Sequence, residues 1–123
     1  MNEFRADKRI AGGTVIYDLK GDLSNQAEEV MLELCEWEKG LGQGRRFLIL
    51  NFTEVPYINS IGLAVLIRII RPLLRAGCQT FAYGVTPHYQ KLFRMVGLTE
   101  HMMIYPNEEA IVQRIEHLEA QGE

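Results

Sequence analysis

Apolar and polar residues alternate from Thr14 to Leu19, a β-branched stretch whose period of two predicts a strand. Ahead of it, Asn2 to Ile10 is polar with scattered apolar positions and reads as a weaker first strand. Ala11-Gly12-Gly13 joins the two as a hairpin. Gly21-Asp22-Leu23 then turns the chain into a helix with Ser24 as N-cap and Gly40 at its end. Ala27, Val30, Met31, Leu34 and Trp37 recur along it at helical spacing. Arg46 to Phe52 is a continuous apolar run, the mark of a central strand covered on both faces. A long apolar helix opens at Ser60 and closes before Gly77. Thr80 to Tyr83 is the next strand. Thr86-Pro87 starts a third helix that Gly97 ends, and Met102 to Tyr105 is a last short strand. Asn107 caps a final helix with Glu108 and Glu109 in its first turn and Ile111, Ile115 and Leu118 on one face. Strands alternating with helices after a hairpin predict an α/β fold. The sheet is mixed and parallel in its centre, with helices one to three packed on it and Leu48, Leu50, Leu66, Ile70 and Phe81 in the core.

Placing helix two on a wheel at about 100° per residue groups Arg68, Arg71 and Arg75 with Ala64 and Ile61 on one stripe. Leu63, Leu66, Ile67, Ile70, Leu73 and Leu74 spread over the other sides. The arginines mark a solvated face, on which Pro72 is also expected to lie with water replacing its missing hydrogen bond. Toward Ser60 the same exposed stripe becomes apolar, at Ile61 and Ala64. An exposed apolar pair at a helix end is a candidate protein contact. The junction itself gathers a hydroxyl, a glycine (Gly62) and unpaired backbone N–H groups at the positive end of a helix. A serine so placed can carry a phosphate whose charge the helix end favours.

Composition narrows the options. The chain of 123 residues fits one domain over 1–123, with 47% hydrophobic and 24% charged residues, ordinary for a globular protein. A net charge of −3 argues against a nucleic-acid binder. Cys35 and Cys78 lie far apart and read as two separate buried thiols of a reducing cytosol. No signal-peptide pattern begins the chain, and Ile61 to Ile67 is too short to span a bilayer, so a cytoplasmic protein without membrane insertion is expected. Gly40, Gly42 and Gly44 follow a helix and precede a strand, the reverse of a nucleotide-binding loop. His88, His101 and His117 lack metal-ligand spacing, and Ser60 lacks a nucleophile-elbow context. No cofactor, metal or enzyme activity is expected.

Three segments resemble the STAS domain family, the anti-sigma factor antagonists of bacteria. Gly21-Asp22-Leu23 is similar to the Gly-Glu/Asp-Leu/Ile that ends a family strand. Asn59-Ser60-Ile61-Gly62-Leu63 is similar to the Asp-Ser-Ser/Thr-Gly-Leu that opens the second helix. Thr86-Pro87, Leu92-Phe93 and Gly97-Leu98 match a later family segment in order. The departures are Asn59 for aspartate, Ile61 for Ser or Thr, and Ser24 where an acidic residue is common.

The resemblance implies a binding module without chemistry of its own. Its partner would be an anti-sigma factor, a serine kinase of the histidine-kinase-like ATPase type, from which it releases a sigma factor. Ser60 would be the phosphorylated residue and a PP2C-type phosphatase would reverse the modification. Asp22, Ser24, Asn59, Ile61, Gly62 and Ala64 would form the partner surface. Two alternatives are a STAS adaptor subunit of a transporter ATPase or signalling assembly, with Ser60 unphosphorylated, and a small-ligand or nucleotide-binding domain using the start of helix two as an anion site.

Overall fold

The computed structural model describes residues 3–122. Strands β1 (Arg5–Ala11) and β2 (Thr14–Lys20) pair antiparallel through a two-residue turn, with Ala11 opposite Thr14. Gly12 occupies the first central position of that turn with positive φ, where a hairpin matching the strand twist needs it. Helix α1 (Asn25–Leu32), β3 (Phe47–Glu54), α2 (Ser60–Arg75), β4 (Gln79–Tyr83), α3 (Pro87–Met95), β5 (Met102–Ile104) and α4 (Glu108–Gln121) follow. The five strands lie side by side in chain order, and every pair after the hairpin is parallel. This is the mixed sheet expected from the sequence.

Strand order explains the layers. Right-handed crossovers that always add the next strand on the same side put every crossover helix on one face. Accordingly Val15, Tyr17, Leu19, Leu48, Leu50, Phe52 and Ala82 face α1, α2 and α3, where Leu66, Ile70 and Phe93 complete the larger core. The alternate positions Ile16, Phe47, Ile49 and Phe81 face the other way and are covered by Ile111 and Ile115 of α4. The five anticipated core residues are all buried, with Phe81 on the α4 side.

Four expectations need correction. The first strand starts at Arg5, and Asn2 lies outside the described residues. Helix α1 stops at Leu32 and does not run to Gly40, which closes a separate 3-10 turn at Trp37–Lys39. The Trp37 indole N–H donates to the Met31 carbonyl at 3.0 Å while its ring meets Tyr17 edge-on, so burial of the large ring overrides continued helix. Leu74 is 46% exposed, whereas Pro72 is buried. The 3-10 turn packs against α2 and Gly40 approaches Ala76 and Cys78, so the helix is covered on this side as well.

On the α4 face a polar row caps the smaller core. Asp18, Asn51 and Tyr83 stand in register across β2, β3 and β4. Arg9 grips Asp18 with two bonds (2.7 and 2.9 Å) and Glu108 with two more (2.8 and 3.2 Å), while the Tyr83 hydroxyl donates to Glu108 at 2.8 Å. The Asn51 amide donates to Asp18 at 2.8 Å. The start of α4 is thereby tied to β1, β2 and β4. Hydrogen bonds from Arg9 hold the Asp18 and Glu108 carboxyls below their usual range, and burial, reinforced by the bond to Glu108, pushes the Tyr83 phenol up to about 12.

Because both carboxyls are more acidic in the folded state, their contribution is full above the ordinary carboxylate range and is lost as pH falls through it. Stability measured by urea unfolding should therefore drop as pH is lowered through about 4. Arg9→Met should cost about 1 kcal/mol at neutral pH, the pair being partly exposed, and should flatten that acid dependence. An acid profile identical to wild type would show that the ion pairs do not hold α4.

Candidate functional site

Two chain segments meet at the carboxyl ends of β2 and β3. The first leaves β2 at Gly21, whose φ of +97° suits glycine and whose absent side chain leaves room for the Glu3 carbonyl, 2.6 Å from where a Cβ would stand. The Gly21 N–H donates to the Glu54 carbonyl at 3.0 Å, and the chain then reaches Leu23, which is fully buried. The second segment leaves β3 and runs alongside. Leu23 N–H donates to Tyr57 O at 2.9 Å, Asn59 N–H donates to Leu23 O at 3.2 Å, and Leu23 pairs with Ile58 as an isolated parallel bridge. From the far side the Ile58 N–H donates to the Tyr89 hydroxyl of α3 at 3.0 Å.

Helix α2 starts directly from this stitched pair. Asn59 is extended (φ −103°), and its side-chain oxygen accepts the Gly62 N–H at 2.9 Å. An N-cap needs an oxygen on a short side chain, and asparagine supplies it as well as aspartate does. The Asn59 carbonyl accepts from Leu63 at 3.0 Å, closing the first turn. The Ser60 and Ile61 amides remain at the helix end, where a helix offers them no internal acceptor.

Gly62 explains how closely the two segments approach. A Cβ there would overlap the Leu23 carbonyl oxygen and stand 2.8 Å from its carbon. The residue is buried, and its missing side chain lets α2 sit on the Leu23 backbone. Asn59 is half-buried with its side-chain oxygen committed to the cap.

Ile61 (40% exposed) and Ala64 lie on the surface, as the wheel placed them, and Ser60 is exposed beside Ile61. Asp22 and Ser24 are half-buried on the neighbouring segment, brought beside α2 by the Leu23 bonds. Ser24 stands at the N-cap of α1, where its carbonyl accepts the Ala27 N–H at 2.9 Å and its hydroxyl makes no capping bond. Sequence reasoning missed Tyr57, half exposed on the same segment, and Tyr89, which braces it. The alternation of buried Val55 and Ile58 with exposed Pro56 and Tyr57 was the available signal for the first. Among the described residues no side chain hydrogen-bonds the Ser60 hydroxyl, and no cluster of metal-ligating residues occurs.

The arrangement is thus a rigid, partly apolar platform with one exposed hydroxyl at a helix N-terminus. The model of the STAS domain matches residues 5–111, and the chain belongs to that family. It is similar to the Bacillus cell-fate determinant SpoIIAA in its phosphorylated form, with 25% identity over 91% of this chain and 98% of that one and a TM-score of 0.67. A variant of RsbS from Moorella thermoacetica gives a TM-score of 0.78 at 16% identity, over 94% and 98% of the two chains. A sulfate transporter family protein from Wolinella succinogenes gives 0.72 at 16% identity, over 91% and 93%. No helix among the described residues is long and apolar enough to cross a membrane.

Replacing a helical glycine by alanine ordinarily gains about 1 kcal/mol. Gly62→Ala should instead lose about 1–3 kcal/mol in urea unfolding, because the added methyl meets backbone that cannot turn aside. A stabilised variant would mean that α2 does not rest on Leu23.

Proposed function

We propose that this STAS domain is an anti-sigma factor antagonist. The start of α2 docks on an anti-sigma kinase of the histidine-kinase-like ATPase type, and the sigma factor held by that kinase is released. Phosphorylation of Ser60 ends the contact, and a PP2C-type phosphatase restores it. The observation that carries this reading is the exposed Ser60 hydroxyl at the first residue of α2, set among exposed Tyr57, Ile61 and Ala64 on a platform that hydrogen bonds hold fixed. Similarity to SpoIIAA, a protein whose phosphorylated form has been solved, supports it.

The physics of the switch is local. A phosphate adds about −1.5 to −2 charge at the apolar centre of the patch, and the partner must strip water from it to stay bound. Within the free protein the same charge is tolerated, because it faces the positive end of α2. Asn59 helps, since an uncharged cap does not repel a phosphate on the next residue. Asp22 and Ser24, lying alongside, extend the contact across the α1 side.

The uncharged Asn59 also supports a second reading, together with the likeness to the sulfate transporter family protein. In it the same surface docks the domain as an adaptor onto a transporter ATPase and Ser60 stays unmodified.

Incubation with the cognate kinase and ATP should label Ser60 and leave Ser24 untouched. Asn59→Asp should preserve stability within about 0.5 kcal/mol, since either side chain can cap, and should speed labelling by supplying a carboxylate. Absence of label at Ser60 in both proteins would favour the adaptor.

Ile61→Glu should melt like wild type, yet bind the kinase several kcal/mol more weakly because its charge is desolvated at the interface. Unfolding followed by circular dichroism, beside calorimetric titration of the kinase, separates the two effects. A folded variant that binds normally would remove this end of α2 from the interface.

A further inference from the structure

Between Glu54 and Glu100 the chain contains no aspartate or glutamate, although the whole protein carries a net charge of −3. That interval supplies α2 and α3, whose exposed positions include Arg68, Arg71, Arg75, Lys91 and Arg94. Arg68 is paired with Glu28 of α1 at 2.8 Å. Among the described residues the other four make no ion pair. Apolar side chains are exposed beside them, Leu74 (46%) on α2 and Met95 (72%) and Val96 (45%) at the end of α3. Leu74 is three residues from Arg71 and adjoins the arginine stripe on one flank.

A cleft of about 230 Å³ opens in this surface between Ile67 and Arg71 of α2 and the turn Val96–His101. His101 is among its lining residues, with an Nδ1 that is buried without a hydrogen-bond partner in the protein. Glu100 is the one carboxylate at its edge. Cations without ion-pair partners and exposed apolar side chains together offer both charge and apolar complementarity to an acidic amphipathic segment. A flat bilayer would meet the arginines and leave the cleft unfilled. A protein segment can do both.

We propose that this face is a second docking surface, for an acidic amphipathic segment of a partner protein that lays an apolar side chain into the cleft. The carboxylates of the segment pair with Arg71 and Arg75, and its apolar face covers Leu74, Met95 and Val96. The surface begins about 9 Å along α2 from Ile61, at Ile67, and extends to Arg75 at about 21 Å, at 1.5 Å per residue.

The test uses the isotope-labelled protein and a synthetic amphipathic peptide with glutamates on its polar face and leucines on the other. A lysine version of the peptide and phosphatidylglycerol vesicles serve as comparisons. The acidic peptide should shift the amides of residues 67–75 and 95–101. Arg71→Glu/Arg75→Glu should weaken it at least tenfold, and Arg71→Gln/Arg75→Gln should act in the same direction without adding a carboxylate. Ile61→Glu should leave it unchanged, which keeps this result separate from the fate of the Ser60 reading. Shifts elsewhere, equal binding of the lysine peptide, undiminished affinity in both double variants, or binding to vesicles alone would each overturn the proposal.

Discussion

The contact of Gly62 with the Leu23 backbone fixes the geometry of everything near Ser60. With no Cβ at that point, α2 can start directly on the segment leaving β2, and the bonds from Leu23 to Tyr57 and Asn59 become possible. Those bonds place Asn59 extended, which is the conformation an N-cap needs, and the cap in turn sets the direction of the first turn of α2. Ser60 is exposed because it is the residue after the cap, and Ile61 and Ala64 are exposed because the opposite side of α2 must cover Leu48 and Leu50. The site is therefore a by-product of how a helix is docked on a sheet.

The two faces of the sheet are held by different forces. On the side of α1 to α3 a large apolar core does the work, with Phe52 and Phe93 meeting edge-on at its far end. On the other side α4 buries few residues, and its attachment depends more on Arg9, Asp18, Glu108 and Tyr83. Hydrophobic burial changes little across the ordinary pH range, whereas ion pairs respond to both acid and salt. The two layers should thus differ in what loosens them.

Most of this architecture was legible in the sequence because it rests on local signals. Asn107 and Thr86 cap the helices they precede, Gly97 ends α3 in a left-handed conformation, and the wheel of α2 correctly separated Ile61 and Ala64 from Leu66 and Ile70. The failures have a common cause, contacts between residues distant in sequence. Trp37 continued the helical spacing of α1, but its ring is drawn to Tyr17 and its indole to Met31. Pro72 follows the exposed stripe on the wheel yet is buried on a helix against which the 3-10 turn packs, while Leu74 is exposed. The candidate site residues were proposed from the motif, while Tyr89 could not be, since its hydroxyl acts on Ile58 across the fold.

The sheet also sorts charge. One of its faces carries α1, α2 and α3, whose five arginines and lysines outnumber two glutamates, while the other carries α4 with four glutamates and one arginine. Two opposed charged layers separated by an apolar slab give the molecule an electric dipole perpendicular to the sheet, despite its small net charge. In the field of a charged partner such a dipole exerts a torque, so the protein rotates before it touches. Encounters would then begin with the α2 side turned toward negative surfaces, and more collisions would be productive. That advantage is kinetic and extends over roughly 10 Å, the distance at which salt screens it at 0.1 M. It comes from the same topology that put three helices on one face and the last on the other.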